Sequence, residues 1–102
     1  MVHRINSSAV KTAIIGCGYW GPNLIRNLFE IKEAEVLYCC DLLPSRLQFA
    51  KDRYPSLKII KDYKDILRDG DIEAVVIATP AETHYKIAKE CLKKGKHVLV
   101  EK

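Results

Sequence analysis

The chain has 102 residues, 48% of them apolar and 29% charged, with a formal net charge of +4. That suffices for one small domain with a single core, in the proportions of an ordinary globular protein. No uncharged apolar run approaches the length of a membrane span, the opening MVHRINSSAV lacks the apolar centre of a signal peptide, and the excess charge lies in one place, the six lysines and two glutamates of residues 86–102.

Taken in order, residues 1–10 read as a flexible polar arm. KTAIIG (11–16) is a short buried strand ending in glycine. From Pro22 to about Glu30 the pattern turns helical, with Leu24, Leu28 and Ile31 on one face. AEVLYCC (34–40) is a second strand closed by Asp41, and Pro44 suits the first turn of a helix carrying Leu47, Ala50 and Tyr54 until Pro55 stops it. LKIIK (57–61) is a third strand, followed by a helical segment from Tyr63 to Arg68. IEAVVIATP (72–80) is apolar enough to be covered on both faces. Residues 83–94 form a helix with Ile87, Ala88, Cys91 and Leu92 inward and Gly95 as its stop, and HVLV (97–100) is a fifth strand. Lys93, Lys94 and Lys96 read as a solvated helix end, suited to the negative pole of the dipole. No aromatics interleave with them as a nucleic-acid surface requires.

Alternating strands and helices with short connections imply a parallel sheet wound by right-handed crossovers. The fold class expected is therefore α/β, a three-layer doubly wound sheet with strand order 3-2-1-4-5. Its switch point, where ligands bind, falls between strands one and four.

At that point stand Gly16, Gly18 and Gly21, in G-x-G-x-x-G spacing between the first strand and the first helix. Gly16 permits the tight turn, Gly18 the approach of a pyrophosphate, and Gly21 close packing of helix on strand. The helix start near Tyr19 and Trp20 offers free N–H groups to phosphate. Asp41, twenty residues past Gly21, can accept both ribose hydroxyls of an adenosine and would repel a phosphate there. Together these residues specify a Rossmann dinucleotide-binding unit over 11–102, with NAD favoured over NADP. Arg46 could soften that preference, but reads better as solvated. Cys17 reads as a small filler between glycines rather than a redox group. Tyr19 and Trp20 either cover the sheet edge or line the nicotinamide pocket.

ATPAETHYKIAKECLKKGKHVLVEK (78–102) adds Thr79, Pro80, His84, Gly95, Lys96, His97, Glu101 and Lys102 in fixed order. With the glycines and Asp41, this segment closely resembles the Gfo/Idh/MocA oxidoreductases, the glucose–fructose oxidoreductase and inositol dehydrogenase family. The resemblance implies a nicotinamide cofactor and oxidation or reduction of a sugar, cyclitol or similar polyol carbon. It implies that Lys102 sits by the nicotinamide and the reacting hydroxyl as the catalytic residue, with Glu101 beside the cofactor ribose and Thr79 and Pro80 framing the nicotinamide. A cation near a carbinol oxygen would stabilise developing alkoxide charge. From the residues alone Lys102 is a solvated strand-end lysine. His84 shares a helical face with Ile87, Ala88, Cys91 and Leu92 and reads as a hydrogen-bonded structural histidine ahead of a cofactor contact. Thr79-Pro80-Ala81-Glu82 also fits a capping box.

Family members continue past a proline into a second α/β domain that supplies the substrate pocket, Asp/His catalytic groups and an oligomerising sheet. The chain departs from that pattern by ending at Lys102, and it is expected to be the cofactor domain of a longer, homo-oligomeric parent, inactive alone. GYWGPN is similar to members that act on nucleotide sugars. Two other readings stay open, an NAD-sensing domain without chemistry and a CoA-binding domain of like topology. Cys17, Cys39, Cys40 and Cys91 show no C-x-x-C spacing, and Cys39 and Cys40 point to opposite faces of a strand. They are expected to be free thiols in a reducing, cytoplasmic setting, with no metal site, nucleic acid or membrane as partner.

Overall fold

Parallel strands cannot be joined by tight hairpins, so each of the first four strands here is followed by a helix that carries the chain back across a sheet face. The computed structural model describes residues 9–17 and 21–101. Its strands are β1 (Val10–Ile15), β2 (Ala34–Cys40), β3 (Lys58–Ile60), β4 (Ala74–Ile77) and β5 (His97–Val100). They form one parallel sheet in the order β3-β2-β1-β4-β5, as the sequence predicts. The helices are α1 (Gly21–Phe29), α2 (Pro44–Arg53), α3 (Lys64–Arg68) and α4 (His84–Lys93), with a 3-10 turn at Ala81–Thr83 leading into α4.

The two-residue period of the strands sorts their side chains into two cores. On one face Ile14, Cys39 and Val76 pack with Ile25 of α1, Leu47 and Ala50 of α2, and Leu57. On the other Ala13, Ile15, Cys40, Val75 and Ile77 pack with Ile66 of α3, Ile87 and Cys91 of α4, and Ile72. Ile14, Ile25, Leu57, Ile66, Ile72 and Ile77 are almost wholly removed from water, each stabilising the fold by about 1.5–3 kcal/mol before entropy is counted. Among the described residues no helix is long and apolar enough to cross a membrane.

Several expectations are corrected. β1 begins at Val10, whose N–H donates to the Glu33 carbonyl, so the folded unit reaches into the segment read as an arm. The apolar anchor of α1 is Ile25 rather than the Leu24–Leu28–Ile31 stripe: Leu24 and Leu28 are half-buried, and Ile31 lies beyond the helix, 44% exposed. In α4 Leu92 faces water, because Ile87 and Cys91 already fill the line of contact with the sheet. Cys17 and Cys39 form a disulfide, whereas Cys40 and Cys91 are free and buried. Cys17 folds back over the face that carries Cys39, a proximity that spacing along the chain cannot show.

Lys96 is the fifth correction. Only 5% exposed, it runs inward and its Nζ donates to the carbonyls of Asp69 and Ile72, both at 2.8 Å. Gly95, at φ +79°, reverses the chain after α4, and the Lys96 N–H returns to the Cys91 carbonyl. The lysine that follows that reversal is thereby aimed under the sheet and closes the turn between α3 and β4. Lys96→Met keeps the stem and removes the donors, taking the Lys96 bond from the Ile72 carbonyl and leaving the Asp69 carbonyl with the Ile72 N–H. It is expected to cost about 1–3 kcal/mol in urea unfolding, against under about 0.5 kcal/mol for Lys93→Met or Lys94→Met at the solvent-facing helix end. Equal, small effects at all three positions would contradict the buried clamp.

Candidate functional site

At the carboxyl end of a parallel sheet every strand hands its chain to a loop, and the loops of β1 and β4 turn in opposite directions. Gly16 is the first residue past β1. Its N–H donates to the Cys40 carbonyl at 2.7 Å, and its φ is +101°. A Cβ on Gly16 would lie 2.7 Å from the carbonyl carbon of Ala78 and 2.8 Å from the Thr79 nitrogen. Both backbone angle and space therefore demand glycine. The chain leaving β1 thus runs directly against the chain leaving β4.

Asp41 follows β2, and its own N–H extends the ladder to the Ile60 carbonyl. Its carboxylate is nearly buried and held by two backbone donors: Cys17 N–H to Oδ2 at 2.7 Å and Leu43 N–H to Oδ1 at 2.9 Å. The first ties it to the glycine loop; the second is a local turn that leads the chain to Pro44 and α2. A carboxylate has about four lone-pair sites, so acceptor capacity remains on both oxygens. Arg46, 47% exposed, approaches Oδ2 only to 3.8 Å, the loose surface pairing expected of a solvated arginine. Next door, burial and then the Asp41 charge push the Cys40 thiol up to about 12, which keeps it neutral and unreactive.

Past β4, Thr79 is half-buried and Pro80 exposed. The expected capping box does not form, because the 3-10 turn intervenes and no side chain caps it. The Thr79 hydroxyl instead meets the Thr83 hydroxyl at 2.6 Å, and the Thr83 hydroxyl donates to the Pro80 carbonyl at 2.7 Å. His84, half-buried, places Nε2 2.7 Å from the Thr79 carbonyl, a hydrogen-bonded histidine as read from the helical pattern. Past β5, the Glu101 N–H donates to the Ile77 carbonyl at 2.8 Å, which sets this half-buried residue beside the end of β4.

Gly16, Asp41, Thr79, Pro80 and Glu101 are therefore gathered along one edge of the sheet, about the β1–β4 switch point. Gly21 opens α1. Gly18, Tyr19, Trp20 and Lys102 lie outside the described residues. Sequence reasoning missed Thr83 and the Cys17 amide, since a one-residue hydroxyl contact and a backbone donor leave no pattern in the composition. Among the described residues no group of His, Cys, Asp and Glu is placed to hold a metal ion.

Residues 10–102 match the family described as Gfo/Idh/MocA, "Oxidoreductase family, NAD-binding Rossmann fold". The chain belongs to the Gfo/Idh/MocA oxidoreductase family. It is similar to the inositol 2-dehydrogenase of Salmonella typhimurium, 35% identical over 95 residues that cover 91% of this chain and 28% of the relative. Among solved structures it resembles scyllo-inositol dehydrogenase from Lactobacillus casei with bound NAD(H) and scyllo-inositol, at TM-score 0.83 and 29% identity over 92% of this chain and 28% of that one. It resembles equally the WlbA dehydrogenase from Bordetella pertussis in complex with NADH and UDP-GlcNAcA, at TM-score 0.84 and 30% identity over 92% and 29%. The chain thus spans little more than a quarter of the length of the relatives it matches. What it carries is the family's NAD-binding Rossmann fold.

Among the described residues two glycines, Gly16 and Gly95, have positive φ and make a contrast that isolates close approach from backbone angle. Gly16→Ala is expected to destabilise the chain by about 2–4 kcal/mol, strain and overlap together. Gly95→Ala, where a Cβ meets nothing within 4 Å, should cost only about 1–2 kcal/mol. Thermal and urea unfolding of both variants checks this, and equal losses would show that Gly16 is not crowded by β4.

Proposed function

We propose that this chain is the cofactor domain of an oxidoreductase that transfers a hydride between NAD(H) and a CH–OH carbon of a sugar, cyclitol or nucleotide sugar. The observation that carries the reading is the nearly buried Asp41 carboxylate, fixed by the Cys17 and Leu43 amides with acceptor capacity remaining on both oxygens. A buried charge held in this way at the end of β2, against the glycine loop, fits paired ribose hydroxyls and repels a 2′-phosphate. Gly16 supports it from the other side, because its missing Cβ lets the Ala78–Thr79 backbone close in and brings the ends of β1 and β4 together at the switch point. When bound, the nicotinamide supplies the hydride chemistry.

The roles assigned to the chain follow the family's motif, residue by residue. Gly16, Gly18 and Gly21 shape the loop, and the start of α1 faces the phosphates. Tyr19 and Trp20 belong to the same loop. Thr79 and Pro80 frame the nicotinamide end, and Glu101 stands by the neighbouring ribose. Lys102 is the group we assign to the reacting oxygen, where its charge would steady an alkoxide as the proton departs. The substrate class rests on the inositol 2-dehydrogenase and on the WlbA dehydrogenase in complex with UDP-GlcNAcA that this chain resembles. Substrate pocket, turnover and homo-oligomerisation belong, in this proposal, to the longer parent.

Titrating NADH and NADPH into the full chain, followed by Trp20 fluorescence and calorimetry, tests the reading. NADH is expected to bind saturably and more tightly than NADPH. Asp41→Ala should weaken NADH by about ten- to a hundredfold, the range for losing hydrogen bonds to a charged group, and narrow the gap to NADPH. Equal affinity for both cofactors in the unaltered chain would sink the assignment of Asp41.

A further inference from the structure

We infer that Thr83 and His84 are positioning residues that fix both oxygens of Thr79 as hydrogen-bond acceptors for the nicotinamide end of the cofactor, an inference that rests on the dinucleotide reading above. Proton bookkeeping along the turn decides the polarity. A carbonyl can only accept, so the Thr83 hydroxyl proton goes to Pro80 O. The proton between the Thr79 and Thr83 hydroxyls then belongs to Thr79. Likewise Thr79 O only accepts, so His84 carries its proton on Nε2.

The result is a one-way relay. Thr79 Oγ1 has given its hydrogen to Thr83 and keeps its lone pairs, while Thr79 O has one lone pair engaged by His84 and one left. Neither oxygen can serve a phosphate, which needs donors. The residue also lies in the right place: the Ala78–Thr79 peptide is the backbone that crowds Gly16 at the switch point. The donors on a dinucleotide are the adenine N6–H₂, the ribose hydroxyls and the carboxamide N–H₂ of nicotinamide, and the adenosine is assigned to Asp41, which leaves the nicotinamide ribose and the carboxamide for such a pair. The carboxamide is the group that NADH has and ADP-ribose lacks. Pro80 and the 3-10 turn place Thr83 and His84 behind Thr79, so they act on the ligand through it.

That difference provides the test. NADH and ADP-ribose are titrated separately into the full chain and its Thr83→Val and His84→Phe variants, with Asp41→Ala alongside. Both new variants should lose about tenfold in NADH affinity, the effect of one misaligned hydrogen bond or slightly more, while ADP-ribose changes less than about twofold on the same scale. Retained ADP-ribose binding also shows that each variant is folded. Thr83→Ser and His84→Gln, which keep a donor in place, should recover most of the NADH affinity. Asp41→Ala should weaken both ligands. Equal losses for NADH and ADP-ribose in Thr83→Val and His84→Phe, or in the milder Ser and Gln variants should the first pair not fold, would reduce the two residues to helix-start supports. No loss of NADH affinity would overturn the inference as well. An unaltered chain that binds neither ligand would overturn the dinucleotide reading and this inference with it.

Discussion

There is no room for a side chain where the chain leaving β1 passes the end of β4, and the rest of the site depends on that contact. A Cβ on Gly16 would fall 2.7–2.8 Å from the Ala78 and Thr79 backbone. Bringing two strand ends this close requires a glycine, a positive φ and a parallel pair whose loops then diverge. Because β1 and β4 are hydrogen-bonded neighbours, Gly16 and Thr79 leave the sheet side by side at the switch point. Asp41 and Glu101 join that edge because β2 and β5 flank this central pair.

The connections between strands and helices are held by polar side chains that serve the backbone. Asp41 receives two amides, His84 donates to one carbonyl and Thr83 to another, and at the far end of β4 Lys96 satisfies two more. Short connections leave backbone groups that neither helix nor strand pairs, and burying them unpaired is costly. Placing a polar side chain at each such junction lets the loops be both tight and fixed. Asp41 and Thr79 are each bonded inward, and each keeps acceptor capacity.

The sheet order, the five strands and the edge where Gly16, Asp41, Thr79 and Glu101 meet were legible in the sequence, because alternation of strand and helix admits few parallel topologies. Burial of polar groups was less so. Lys96 looked like one of three helix-end lysines until the reversal at Gly95 turned it inward. Cys17 and Cys39 are separated by 22 residues and meet only once β1 and β2 are paired. The Thr79 capping box failed because the segment enters α4 through a 3-10 turn, which redirects the threonine hydroxyl to Thr83. Each miss is a tertiary contact that a pattern along the chain does not encode. Ile25 was missed for a simpler reason, since a nine-residue helix has a narrow buried face and Leu24 sits one position away from it.

The central claim is that a dinucleotide lies across the carboxyl edge of this sheet, between the loops of β1 and β4. Two-dimensional ¹⁵N–¹H spectra of the full chain, recorded as NAD⁺ is added, test it residue by residue. The amides of Gly16, Cys17, Leu43, Thr79 and Glu101 should shift together and saturate at one affinity, while those of Glu73, Gly95 and the exposed α4 face at Tyr85 and Leu92 stay in place. Saturable shifts confined to the opposite edge of the sheet or to α4 would contradict the account.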